Sequence, residues 1–126
     1  MAPLIITSSR DETQGVTLLE LQGNLDVFSY LALKADLEAK AAECQGGRIL
    51  IDVRRVGFIA SSGWAVLMGF CKSYRRQEGM VAVFGMLPEV TSVYESMNLA
   101  SLLPAFPDLA AARASLGCAP GAEGAG

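Results

Sequence analysis

The sequence predicts a single α/β domain with a mixed four- to five-stranded sheet and about four helices. Short apolar runs of strand length, such as residues 49–53, alternate along the chain with longer segments whose apolar residues recur at helical spacing. Before the first helical segment, two strand-like runs are separated by one polar turn, a pattern typical of an antiparallel hairpin. An initial hairpin followed by alternating strands and helices indicates a sheet that is antiparallel at one edge and parallel elsewhere.

The hairpin is predicted from strands at residues 4–6 and 16–21, joined by the polar segment 10–15. Gly23 ends the second strand, and Ser29 is the predicted N-cap of the first helix. The buried face of that helix is expected to comprise residues at helical spacing, namely Tyr30, Leu33, Leu37, Ala41 and Cys44.

The third strand, at residues 48–53, is predicted to be buried because it is almost wholly apolar. The segment 60–63 follows it and begins a second helix that extends to about Gln77. A fourth strand is predicted at residues 80–84 and ends at Gly85. The repeated strand–helix order predicts a largely parallel sheet with helices packed on it in this half of the chain.

Pro88 suits the first turn of a third helix, since its missing N–H is not needed there. Asn98 is the predicted left-handed stop of that helix. Residues 102–106 are predicted to form a short fifth extended segment, and Asp108 can cap a last helix. The domain is expected to span residues 1–117. Residues 118–126 are small and rich in glycine, and we expect them to form a flexible tail.

Composition excludes several classes of function. The net charge of −3 argues against nucleic-acid binding, which needs a basic face, and the chain has no histidine to act as a general base or metal ligand. We therefore expect no metal, no cofactor and no enzymatic activity. Cys44, Cys71 and Cys118 form no C-x-x-C pair, which favours reduced thiols in a cytoplasmic protein. No signal peptide and no membrane span are predicted.

Small or polar residues follow successive predicted strands at the point where each strand ends. Asp26 follows the second strand, Ser61 and Ser62 follow the third, and Gly85 follows the fourth. Because ligands of open α/β sheets bind beyond the carboxyl ends of the strands, these residues should converge on one edge. A serine at the start of a helix can cap it or hold a phosphate, since the first backbone N–H groups are unpaired there.

These segments together resemble the STAS domain (sulphate transporter and anti-sigma-factor antagonist), in its bacterial anti-sigma-factor antagonist form. The matching residues lie in segments 23–26, 49–53, 56–63, 85–90 and 102–104, in the family's order. The resemblance implies a partner switch. A serine kinase of the ATP-binding inhibitor type, which is also the anti-sigma factor, binds the unphosphorylated domain and releases it on phosphorylation, and a PP2C-type phosphatase resets it.

The resemblance also implies roles for individual residues. Ser61 occupies the position of the phosphate acceptor, with Ser62 as the fallback, and Asp26 matches a carboxylate beside it. The family has aspartate directly before the acceptor, whereas this chain has Ala60, and Trp64 replaces a smaller aliphatic residue. The expected partner-binding set comprises residues around the start of the second helix, namely Asp26, Ser61, Ser62, Gly63, Trp64 and Met68.

Several alternatives remain open from the residues alone. Ser61 can be a simple N-cap, and Asp26 a turn residue that binds nearby amides. Trp64 and Met68 are four residues apart and are expected to form an exposed apolar patch, unless a neighbouring helix covers them. The competing function is a non-switching scaffold or an accessory module that binds a small ligand or takes part in lipid transport. A ligand module would need a pocket lined by residues 85–87. A homodimer is compatible with either function.

Overall fold

The computed structural model describes residues 4–44 and 47–118. These residues contain one five-stranded sheet whose spatial order follows the sequence. The strands are β1 (Ile5–Asp11), β2 (Val16–Gln22), β3 (Arg48–Arg55), β4 (Met80–Phe84) and β5 (Ala105–Phe106). β1 pairs with β2 in the antiparallel sense, and each later pair is parallel. The predicted mixed sheet, with an N-terminal hairpin and parallel strands after it, is therefore confirmed.

Four α-helices connect or follow the strands in the described part of the chain. They are α1 (Tyr30–Glu43), α2 (Ser61–Arg76), α3 (Pro88–Ser96) and α4 (Leu109–Ser115), and a short 3-10 helix (Leu99–Ser101) precedes β5. Each of the first three α-helices lies between two parallel strands, as crossover connections require. The helix count agrees with the prediction.

The strands bury alternate side chains on opposite faces of the sheet, which creates two cores. The larger core packs residues such as Ile49, Ile51 and Val83 against α1, α2 and α3. The smaller core packs Leu50 and Phe84 against α4. β3 is apolar on both faces because helices cover both, which is typical of a central parallel strand.

The helix ends agree with the sequence in two places and differ in one. Asn98 adopts the left-handed conformation (φ 53°) predicted for a helix stop, and the Asp108 carboxylate accepts a hydrogen bond from Ala111 N at 2.8 Å. Ser29 precedes α1, but its side chain makes no capping hydrogen bond to that helix. Instead the hydroxyl lies 2.7 Å from Asn24 O, inside the preceding loop. Ser29 therefore stands at the predicted N-cap position, where its carbonyl accepts from Leu33 N at 3.0 Å, but the preceding loop uses its hydroxyl and the side chain does not cap the helix.

The packed domain extends slightly further than the sequence suggested. Cys118 was expected in the flexible tail, yet it is buried in the smaller core and lies 3.4 Å from Arg48 Nη1. Cys44 and Cys71 are buried as well. The rest of the predicted tail, residues 119–126, lies outside the described residues. Within the described ranges, none of the helices is long and apolar enough to cross a lipid bilayer.

Candidate functional site

The loops that leave β2 and β3 pair with each other at the carboxyl edge of the sheet. Leu25 N donates to Phe58 O at 3.0 Å, and Ala60 N donates to Leu25 O at 2.8 Å. Asp26 and Ser61 each come directly after a residue of this paired stretch, so the structure brings their loops together. Gly85 ends β4, one strand further along the same edge.

Ser61 is the first residue of α2, and it is exposed. The first backbone hydrogen bond of the helix runs from Trp64 N to Ala60 O at 3.0 Å. The amides of residues 61–63 therefore have no acceptor within the helix. Ala60 stands at the N-cap with extended backbone (φ −81°, ψ 172°) and cannot supply one from its side chain. This helix end carries partial positive charge next to an accessible hydroxyl.

Ala60→Asp is expected to stabilise the fold by about 1 kcal/mol, because a carboxylate at an N-cap accepts from the first-turn amides. For a chain of this size, that gain corresponds to a rise in melting temperature of about 4 °C. Thermal unfolding followed by circular dichroism measures it. Ala60→Asn is the matched control: a similar rise attributes the effect to the hydrogen bond and not to charge. Unchanged melting of both variants would contradict the N-cap assignment.

Ser62 and Gly63 face inward, unlike Ser61. The Ser62 hydroxyl is buried and has no hydrogen-bond partner among the described residues. A β-carbon on Gly63 would lie 2.7 Å from Leu25 Cβ and 2.8 Å from Leu25 O, so the close approach of the two loops requires glycine. The exposed Ser61 hydroxyl is therefore the better candidate for a phosphate acceptor than the buried Ser62 hydroxyl. Gly63 allows the two loops to pack closely.

The expected exposed patch at Trp64 and Met68 is wrong. Trp64 is 2% exposed and belongs to the larger core, where its ring lies 6.2 Å from the Tyr94 ring of α3. Met68 is partly buried against the same core. The buried stripe of α2 passes through Trp64, Leu67 and Cys71, so Trp64 shares their face. The contact with Tyr94 shows that α3 covers the side of α2 that the sequence assigned to solvent.

Four exposed large apolar side chains lie instead on the two paired loops and the start of α1. Val27 is 66% exposed, Phe28 74%, Leu31 64% and Phe58 53%. We call these four residues the loop patch. Sequence reasoning missed it because the residues follow no strand or helix period, although large apolar side chains in short polar loops are themselves a signal. The patch borders Ser61, since Phe58 precedes it by three residues and pairs with the other loop.

The carboxylate of Asp26 is held by its own loop. Asp26 Oδ1 accepts from Phe28 N at 2.9 Å and lies 3.3 Å from the buried Ser29 hydroxyl. The same hydroxyl accepts from Asp26 N at 3.0 Å. Of the two interpretations left open, the structure therefore shows the turn residue, and Asp26 makes no hydrogen bond to Ser61.

Asp52, Arg54 and Cys71 also carry ionisable groups, and their contacts indicate structural roles. Asp52 is buried and pairs with Arg54 through both carboxylate oxygens, and this pairing raises the pKa of the guanidinium. Arg54 in turn lies over the Phe84 ring, 5.3 Å from its centroid. Burial raises the pKa of the Cys71 thiol to about 12, which makes it a poor nucleophile. The described residues contain no group of three or more His, Cys, Asp or Glu side chains that could hold a metal ion.

A groove of about 900 Å³ runs between α1 and α2. Its α2 wall includes small residues, Ser62, Ala65 and Gly69, and its α1 wall includes Leu31 and Lys34. The groove begins beside the loop patch, because Leu31 belongs to both. A pocket lined by residues 85–87 was the feature expected of a ligand module, and this groove lies elsewhere.

A comparison with known protein families decides the classification. The STAS domain matches residues 8–112 of this chain, which includes all five strands except the first residues of β1. The chain belongs to the STAS family. The predicted family membership is thus confirmed, and the matched region includes the paired loops that carry Asp26 and Ser61.

This chain is also similar to individual STAS proteins. BtrV of Bordetella bronchiseptica, named as a candidate anti-sigma factor antagonist, is 27% identical over 94 residues, covering 75% of this chain and 80% of BtrV. The crystal structure of an anti-sigma factor antagonist from Mycobacterium paratuberculosis matches with a TM-score of 0.78 and 20% identity, covering 89% and 92% of the two chains.

SpoIIAA, also an anti-sigma factor antagonist, matches in two forms. The unphosphorylated form gives a TM-score of 0.68 at 18% identity, covering 90% of this chain and 97% of SpoIIAA. The phosphorylated form, described as a cell fate determinant from Bacillus, gives 0.60 at 17% identity, covering 82% and 93%. The STAS fold of this chain is therefore the fold of anti-sigma factor antagonists.

Proposed function

We propose that this STAS protein is an anti-sigma factor antagonist in a partner-switching pathway. Unphosphorylated, it binds an anti-sigma factor that is a serine kinase of the ATP-binding type. Phosphorylation of Ser61 releases it, and a PP2C-type phosphatase restores the binding form. The observation that carries the proposal is the exposed Ser61 hydroxyl at the uncapped end of α2, beside the loop patch.

The start of α2 suits a phosphate. A phosphoserine carries about −1.5 to −2 charges at neutral pH, and the free amides of residues 61–63 point to the same end of the helix. Those amides would stabilise the added charge, so the fold should change little on phosphorylation. The effect of the phosphate then falls on the surface that meets the partner.

The loop patch suits a protein partner. It gathers four large apolar side chains at one edge of the sheet, and two of them are phenylalanines. Contiguous exposed apolar residues mark interaction surfaces, and aromatic side chains commonly supply most of the binding free energy. We propose that the loop patch, and not Trp64 and Met68, supplies the apolar part of the partner-binding surface.

The relatives support the same role. BtrV, the mycobacterial protein and SpoIIAA are all named as anti-sigma factor antagonists, and SpoIIAA occurs in phosphorylated and unphosphorylated forms. The protein is proposed to have no catalytic activity of its own. The chain has no histidine that could activate Ser61 or Ser62 as a nucleophile.

Phosphorylation supplies the direct test. We expect the purified anti-sigma factor kinase, with ATP and Mg²⁺, to add one phosphate to the wild-type protein, which intact-mass spectrometry detects. Peptide mapping should place it on Ser61, because the Ser62 hydroxyl is buried. Ser61→Ala should abolish the added mass, while Ser62→Ala, the matched control, should retain it. A full phosphate load on Ser61→Ala would show that the acceptor lies elsewhere.

The groove between α1 and α2 favours one second candidate, an accessory module that binds a small apolar ligand. Native mass spectrometry of the purified protein discriminates between the two functions. A copurified lipid or other small molecule, together with no phosphate on Ser61, would favour the module. Stoichiometric binding to the kinase without a copurified molecule favours the switch.

A further inference from the structure

We propose that Asp26 is a positioning residue, whose side-chain oxygen holds the loop between β2 and α1 so that Phe28 is exposed on the loop that pairs with the loop before Ser61. On this view its negative charge is not what the partner or the acceptor serine needs. The inference rests on the proposed function, because it concerns the surface through which the kinase would bind.

The hydrogen bonds of the loop carry the inference. Asp26 Oδ1 accepts from Phe28 N at 2.9 Å, which makes the carboxylate the anchor of a turn around Val27. The Ser29 hydroxyl joins Asp26 N, Asp26 Oδ1 and Asn24 O, at 3.0, 3.3 and 2.7 Å. Tyr30 N, at the start of α1, donates to Asp26 O at 2.9 Å. Asp26 is thereby tied to both ends of the loop.

The turn holds two apolar side chains in contact with water. Val27 and Phe28 are 66% and 74% exposed, although burial of such side chains is favourable. Holding an apolar side chain in water before the partner arrives reduces the ordering cost of binding. Without the acceptor oxygen, Phe28 N loses its partner and the tip of the loop is free to take other conformations.

Asparagine separates the oxygen from the charge. Asp26→Asn keeps an Oδ1 that accepts from Phe28 N, whereas Asp26→Ala removes it. A positioning role predicts that asparagine rescues binding. A carboxylate that acts by its charge predicts instead that asparagine fails as badly as alanine.

The binding experiment uses a Ser61→Ala parent, in which phosphoryl transfer to Ser61 is absent. Calorimetric titration against the purified anti-sigma factor kinase should give a Kd for Asp26→Asn within about twofold of the parent. Asp26→Ala should bind about fivefold more weakly, the size expected for one lost hydrogen bond. Phe28→Ala should bind at least about tenfold more weakly, as an aromatic anchor would.

The double variant tests whether Asp26 acts through Phe28. Once Phe28 is alanine, adding Asp26→Ala should weaken binding by less than about twofold, because the side chain that the turn presents is gone. Additive losses, or an Asp26→Asn that binds as poorly as Asp26→Ala, would overturn the inference while leaving the partner switch intact.

Amide hydrogen exchange of the free protein keeps the two proposals apart. The Phe28 amide should exchange faster in Asp26→Ala and at the wild-type rate in Asp26→Asn, with the core of all three equally protected. Equal exchange at Phe28 in all three proteins would overturn the positioning role without reference to any partner. If the parent fails to bind the kinase at all, the partner switch falls, and with it the use of the loop for docking.

Discussion

Ser61→Asp is expected to lower the affinity for the anti-sigma factor kinase by more than about a hundredfold, because docking would remove an unpaired charge from water at a cost of several kcal/mol. The carboxylate would lie at the start of α2 beside the loop patch, which forms the apolar part of the proposed interface. Calorimetric titration of the purified proteins measures the loss. Circular dichroism should show an unchanged fold, since the free amides of the first turn favour a negative charge.

Two further variants isolate the charge. Ser61→Asn has nearly the size of the aspartate variant without its charge, and we expect it to bind within about tenfold of wild type. Ser61→Ala should bind almost as well as wild type and should not be released by ATP, because it lacks the acceptor hydroxyl. Equal affinities for the aspartate and asparagine variants would show that bulk, and not charge, controls the interface. Equal affinities for all the proteins would remove Ser61 from the interface.

Local sequence patterns predicted those parts of the fold that local physics determines. The strand β3 is apolar because helices cover both faces of the sheet. Its continuous hydrophobic run therefore predicts a buried strand without any knowledge of its neighbours. Asn98 and Asp108 act where they were expected to, since a left-handed stop and an N-cap depend on a few adjacent residues. The position of Ser61 at the start of α2 follows from the same kind of signal.

The assignment of side chains to solvent or core depends on neighbours that the sequence does not show. Trp64 lies four residues before Met68, and that spacing identifies a shared face without saying whether another helix covers it. Tyr94 of α3 provides the cover. The sequence analysis missed the loop patch for a related reason. Phe28 and Phe58 are distant in sequence, and their loops come together in space where Leu25 pairs with Ile59.

Trp64→Ala is expected to destabilise the fold by about 3–5 kcal/mol, the usual cost of truncating a large aromatic side chain in a core. Trp64 is 2% exposed and contacts the Tyr94 ring, so the substitution leaves a cavity between α2 and α3. Urea denaturation of the purified variant measures the loss as a lower midpoint. Weak kinase binding by this variant would then report unfolding, not a lost contact.

Phe58→Ala is the matched control, because this residue is 53% exposed and belongs to the loop patch. Its unfolding midpoint should stay near that of wild type while its affinity for the kinase falls by at least about tenfold. Trp64→Phe should lose far less stability than Trp64→Ala, since it keeps an aromatic ring and the indole N–H has no hydrogen-bond partner in the described structure. A Trp64→Ala protein of wild-type stability and reduced affinity would restore Trp64 to the interface. The opposite pattern in the two variants separates the core from the binding surface, because burial makes Trp64 a determinant of folding and exposure leaves Phe58 free for a partner.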